Sequence, residues 1–137
     1  KVNVIKEDIP KTIFQLGVSS SKEVMRGVSF IKEHVISPFE ININMGCPQS
    51  TMQKNKVCGG LLFDIPLMGE LAKTLVSELK GLAIIPSVKL RLGVAPDVIL
   101  IKDYLDILQE NGIKKVYIHA RTLRYGYDKP ERYEFNF

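Results

Sequence analysis

Gln15, Asn44, Cys47, Lys89, Arg91, His119 and Arg121 are the side chains in this sequence whose types can do chemistry and whose spacing repeats. Each stands in or just past a short run rich in apolar and β-branched residues: TIFQLGV, FEININMG followed by Cys47, IIPSVKLRLG, and KKVYIHAR. Side chains alternate along a strand, so Lys89 and Arg91 share one face while Val88, Leu90 and Leu92 share the other. His119 and Arg121 repeat the arrangement, with Ile118 opposite. Cationic and donor groups around one cavity suit an anionic or electron-rich ligand, and a lysine near a conjugated ring can stabilise negative charge developing there. The amides of Gln15 and Asn44 can meet ring carbonyls or ring N–H groups in either sense. Free thiols, with a pKa of about 8.5, are mostly protonated at neutral pH. A cysteine at this place can serve as a general acid or, as a thiolate, as a nucleophile.

Each residue also has a plain structural reading. A lysine or arginine at a strand end is usually a solvated rim charge, a lone histidine a hydrogen-bonded structural group, and a lone cysteine a small buried hydrophobe. Gly46 and Pro48 need do no more than turn the chain. Chemistry-bearing residues at four successive strand ends favour the functional reading, because α/β folds build their sites at the carboxyl ends of strands. Metal binding is not expected: Cys47 and Cys58 have no C-x-x-C spacing, and His34 and His119 are distant from them and from each other.

The elements that must position these residues alternate along the chain. Strands are expected at 12–18, 39–46, 84–93 and 114–121. A helix over 19–35 has Ser20 and Glu23 at capping-box spacing and an apolar stripe of Val24, Val28, Ile31 and Val35. A polar loop, CPQSTMQKNKVCGG, precedes a helix opened by Asp64 and Pro66 and running to about Lys80, with Leu71, Leu75 and Leu79 on one face and Gly81 as its stop. A third helix is expected from Asp97 to about Glu110, with Val98, Ile101, Leu105 and Leu108 inward and Gly112 closing it. The tail TLRYGYDKPERYEFNF shows no clear period. Strand–helix alternation at this spacing means parallel strands with crossover helices, an α/β fold. Both a doubly wound sheet and a (β/α)8 barrel fit. A Rossmann sheet would carry G-x-G-x-x-G after its first strand, and that is missing.

With 137 residues the chain is long enough for one domain with a real core. Hydrophobic residues at 45% and charged residues at 25% place it among ordinary globular proteins. No apolar run reaches the roughly 18 residues of a membrane span. The start, KVNVIKEDIPK, lacks a secretory h-region. It also begins without Met and in mid-pattern, as a piece of a longer chain would. Two cysteines are too few for a disulfide framework and point to a reducing compartment, the cytoplasm. A net charge of +4 is compatible with a polyanionic partner without demonstrating one.

Taken together, ININMGCP, GGLLFDIP, SVKLRLG and YIHARTLRYGY, in that order and after FQLG, resemble the tRNA-dihydrouridine synthases. That family carries N-x-G-C-P, a Gly-rich turn before paired Leu, V-K-x-R-x-G and H-[GA]-R-T, and the similarity spans about residues 12–127. N-x-G-C-P alone is shared with related flavin dehydrogenases of pyrimidines. The ordered set of blocks is what carries the resemblance.

The resemblance implies an FMN-dependent (β/α)8 TIM barrel that uses NADPH to reduce the C5–C6 double bond of selected uridines in tRNA. Cys47 would protonate C5 of a flipped-out uracil after hydride reaches C6. Asn44 would orient the uracil or the flavin edge. Gln15, Lys89 and His119 would contact the flavin, Lys89 stabilising its reduced ring. Arg91 and Arg121 would bind substrate or hold the barrel together. Residues 1–137 would be a partial catalytic barrel domain, about strands 3 to 6. The first strands, the last two with their flavin-phosphate site, and a C-terminal helical tRNA-binding domain would lie outside it, and the piece alone would be inactive. The sequence departs from the family pattern at Asn42, where Asp is usual, at Cys58, where Gly is usual, and at Tyr125, where Gln is frequent; Tyr127 fits the expected aromatic. Two other readings stand beside this one. The first is a dihydropyrimidine- or dihydroorotate-type flavin dehydrogenase acting on a free base, and the second a non-catalytic RNA-binding piece.

Overall fold

A computed structural model of the protein describes residues 11–35, 38–49 and 53–124. Tyr125 and Tyr127, and most of the polar-aromatic tail, lie outside the described residues. The main sheet has four strands: β1 Ile13–Leu16, β2 Glu40–Asn44, β3 Ile85–Arg91 and β6 Lys115–His119. They lie in the order β1-β2-β3-β6, and every pairing is parallel. Helix α1 (Ser21–His34) joins β1 to β2, α2 (Ile65–Glu78) joins β2 to β3, and α3 (Ile101–Glu110) precedes β6. Spatial order follows chain order without reversal. A doubly wound sheet reverses at its switch point, whereas a (β/α)8 barrel progresses in this way.

The helices cover one face. Ile41 and Ile43 of β2 and Val88 and Leu90 of β3 join Val24, Val28 and Ile31 of α1, Leu71, Ala72 and Leu75 of α2, and Tyr104 and Leu108 of α3 in a single core. Helix α2 packs against both α1 and α3. Leu79, just past α2, is also buried, as its stripe predicts. Ile118 has the right phase for this face but is 45% exposed, at a sheet edge with no covering helix among the described residues. The opposite face carries polar side chains at alternate positions: Gln15, then Glu40, Asn42 and Asn44, then Ser87, Lys89 and Arg91, then Lys115, Tyr117 and His119.

Local chemistry sets most boundaries. Asp64 caps α2 by accepting from Leu67 N–H at 3.2 Å, and its carboxyl lies below its ordinary range, chiefly through the hydrogen bond from Lys56. Ser20 caps α1 and accepts from Glu23 N–H at 3.4 Å. The reciprocal half of the expected capping box is displaced by one residue: the Glu23 carboxylate accepts from Ser19 N–H at 2.6 Å and from Ser19 Oγ at 3.0 Å.

Helix α3 starts at Ile101, four residues after the expected Asp97. The residues before it form an antiparallel hairpin, β4 Gly93–Ala95 with β5 Val98–Ile99. Pro96 and Asp97 make its turn, and Gly93 allows the strands to close: a Cβ there would stand 2.1 Å from Val98 O. Val98, expected to point inward, is 38% exposed, and Tyr104 takes the buried place, its hydroxyl donating to Leu62 O at 2.8 Å. The polar loop after β2 is likewise more ordered at its end than expected, closing in a 3-10 helix over Cys58–Phe63.

Candidate active site

The carboxyl end of β2 delivers the residues that matter most. Asn44 is its last strand residue and is half-buried. Its Nδ2 donates to Gln15 Oε1 at 2.9 Å, and its Oδ1 accepts from Gly46 N–H at 3.0 Å, so the asparagine both meets β1 and begins the turn. Cys47 follows, half-buried and unpaired in any disulfide. The 3-10 helix lies against it: a Cβ on Gly59 would stand 2.1 Å from the Cys47 carbonyl oxygen and 2.5 Å from Leu123 Cδ1. Only glycine allows that approach.

Cys58 is buried, with φ at 51°. The left-handed conformation explains why glycine suits this position. Burial pushes the Cys58 thiol up, the neighbouring Cys47 adds to this, and Lys89 pulls the other way. The electrostatics therefore place Cys47, Cys58 and Lys89 in one neighbourhood, with Cys58 a protonated packing group.

Lys89 sits on β3 between Asn44 of β2 and Tyr117 of β6 in register. With Ile13, Gln15, Asn42 and Tyr117 it lines a concavity of about 390 Å³ on the polar face. His119 is half-buried beside Arg91 in register, and Arg121, also half-buried, accepts from Leu92 N–H through its carbonyl at 3.2 Å. Gln15, Asn44, Lys89 and His119 thus share one sheet face, and Cys47 follows at the carboxyl end of β2. Arg91 is different. It is 2% exposed, its Nε donates to Gly46 O at 2.7 Å and its Nη1 to Thr122 O at 3.1 Å. Of the two roles open to Arg91, these bonds fit holding the strand ends together.

Beneath the strand ends lies a network that the sequence reading missed. Gln15 Nε2 donates to Asn42 Oδ1 at 2.7 Å, and Asn42 Nδ2 donates to Ser87 Oγ at 2.8 Å. Ser87 Oγ donates to the Glu40 carboxylate, which also accepts from Lys115 Nζ at 2.6 Å and Tyr117 Oη at 3.2 Å. Glu40 is fully buried. Burial raises its pKa, but the hydrogen bonds from Lys115, Ser87 and Tyr117 and the Lys115 charge outweigh that and hold the carboxyl below its ordinary range. Polar residues at every second position of E-x-N-x-N, S-x-K-x-R and K-x-Y-x-H were the signal for these partners.

The dihydrouridine synthase (Dus) family model matches residues 1–135 of the chain. The chain belongs to the dihydrouridine synthase family. Its fold, a run of parallel β/α units, is accordingly part of a TIM barrel of that family. A protein of Aquifex aeolicus named a probable tRNA-dihydrouridine synthase is 34% identical over 122 residues, covering 89% of this chain and 37% of the relative. Proteins of Cupriavidus necator and Ralstonia nicotianae, both named tRNA-dihydrouridine(16) synthase, are each 31% identical over 103 residues, covering 73% of this chain and 30% of the relative. The chain therefore spans about a third of the length of these relatives. Among the described residues no helix is long and apolar enough to cross a membrane, and no cluster of His, Cys, Asp or Glu could hold a metal ion.

Proposed function

We propose that this chain is the cysteine-bearing part of the catalytic barrel of a flavin-dependent tRNA-dihydrouridine synthase, about its third to sixth strands, working in the cytoplasm. The observation that carries the reading is that Asn44 and Cys47 stand at the carboxyl end of β2, next to a concavity lined by Gln15 and Lys89. The names of the relatives support tRNA as substrate.

The donor set fits a flavin. Amide nitrogens on Gln15 and Asn44 and the Lys89 ammonium are suited to the carbonyl-rich edge of a planar ring, and Gln15, Lys89 and His119 would hold it. FMN, when bound and reduced by NADPH, supplies the hydride for C6 of the uracil. Cys47 donates the proton to C5 and regains it from solvent, so one hydride and one proton saturate the double bond. Asn44 fixes the ring edge close to the thiol, and Arg121, two residues past β6, would bind substrate. The uridine must leave its stack for its C6 to be reached. Arg91 keeps the ends of β2 and β6 in place.

The test is the full-length protein with unmodified tRNA and NADPH. A yellow protein that forms dihydrouridine supports the reading. A colourless protein that binds RNA without reducing it points to the non-catalytic alternative, and reduction of free pyrimidines alone points to the dehydrogenase alternative.

A further inference from the structure

The hydrogen bonds on the polar face form one directed chain. Gly46 N–H donates to Asn44 Oδ1, Asn44 Nδ2 to Gln15 Oε1, Gln15 Nε2 to Asn42 Oδ1, Asn42 Nδ2 to Ser87 Oγ, and Ser87 Oγ to the Glu40 carboxylate. Both ends have a polarity that cannot reverse. A backbone N–H only donates, and an ionised carboxylate only accepts. Every amide between them therefore has a single orientation that satisfies all the bonds, although an isolated Asn or Gln can sit either way round. The second Glu40 oxygen is engaged by Lys115 Nζ and Tyr117 Oη, which keeps the carboxylate turned to Ser87.

We propose that Glu40, acting through Ser87 and Asn42 and together with Gly46 N–H at the other end of the chain, is a positioning residue that sets which end of the Gln15 and Asn44 amides meets the ligand. The hydrogens left over on Gln15 Nε2 and Asn44 Nδ2 are donors at fixed places; flipping either amide would exchange donor for acceptor there and misread a ring carbonyl. The proposal rests on reading this face as the site for the flavin and uracil. It assigns to a fully buried acid and a fully buried serine a role in recognition rather than in packing alone.

The test compares Ser87→Ala and Ser87→Thr with the wild type in the full-length protein, following the side-chain amide 15N–1H signals of Gln15, Asn42 and Asn44 together with kcat and the KM for tRNA. In the wild type each amide gives one set of signals. Ser87→Ala is expected to split or broaden those of Asn42 and Gln15 and to lower kcat roughly tenfold, the effect of one misdirected hydrogen bond, with KM for tRNA unchanged. Ser87→Thr, which keeps the hydroxyl, is expected to restore both. Wild-type amide signals in Ser87→Ala, or altered signals with an unaltered kcat, overturn the proposal. If the wild-type protein holds no flavin and reduces no tRNA, the functional reading fails, and the amide signals alone decide the orientation chain.

Discussion

Gly59 and Cys47 meet backbone to backbone, close enough that a single added methyl on Gly59 would stand 2.1 Å from the Cys47 carbonyl oxygen. The 3-10 helix is thus the seat on which the cysteine rests. Gly59→Ala must push the two apart. With Cys47 itself unchanged, the expected result is a loss of dihydrouridine formation of about 100-fold, the scale of a misplacement near 1 Å. Steady-state kinetics of the full-length variant check this, and an unaltered rate would show that the loop does not position the thiol.

Arg91 holds two carbonyls that have little access to water, Gly46 O and Thr122 O. Arg91→Leu leaves both without this donor, a cost of about 2–4 kcal/mol at the usual penalty for buried unsatisfied groups. Denaturant unfolding measures it. A residue that only touched substrate would instead raise KM and leave the unfolding midpoint where it was.

The legible and illegible parts of the molecule divide by sequence distance. Helix α2 was readable because Asp64, Pro66 and Gly81 announce its ends locally. Asn44 and Cys47 were readable because a strand that stops at Gly-Cys-Pro puts them at its carboxyl end. Helix α3 was overextended because Val98, Ile101, Leu105 and Leu108 keep helical spacing even though Pro96 and Asp97 turn a hairpin first. The Glu40 network escaped because its members are 47 residues apart at Ser87 and 75 at Lys115, and only the parallel register brings them together. Strand alternation leaves Arg91 with two roles, binding substrate or holding the barrel together, because it does not show burial.

Glu40 gives the molecule an acid-sensitive joint. Unfolded, its carboxyl titrates near the ordinary 4.5; folded, it titrates lower. Its stabilising contribution is therefore present above the unfolded value and is lost as pH falls through the folded one. Lys115→Met removes the strongest of the bonds that lower it and shifts this loss to higher pH. Unfolding midpoints followed between about pH 3 and pH 6 check the shift. Superimposable profiles for the two proteins would argue against the pairing.

Cys58 occupies a left-handed backbone at φ 51°. Cys58→Gly relieves that strain while giving up a small buried side chain, and stability should change by less than about 1 kcal/mol. Cys58→Val places a β-branched residue in the same conformation and should cost about 2 kcal/mol or more. Thermal unfolding of the two variants separates these outcomes, and equal stabilities would remove backbone strain as the reason glycine suits the position.

We propose Cys47 as the proton donor at the end of β2, neither a metal ligand nor half of a disulfide. Cys47→Ala in the full-length protein tests this, with bound flavin and dihydrouridine formation measured on the same sample. The expected result is wild-type flavin content with formation slowed at least about 100-fold, the lower end of what a general acid contributes. Dihydrouridine formed at the wild-type rate by that variant would contradict the account.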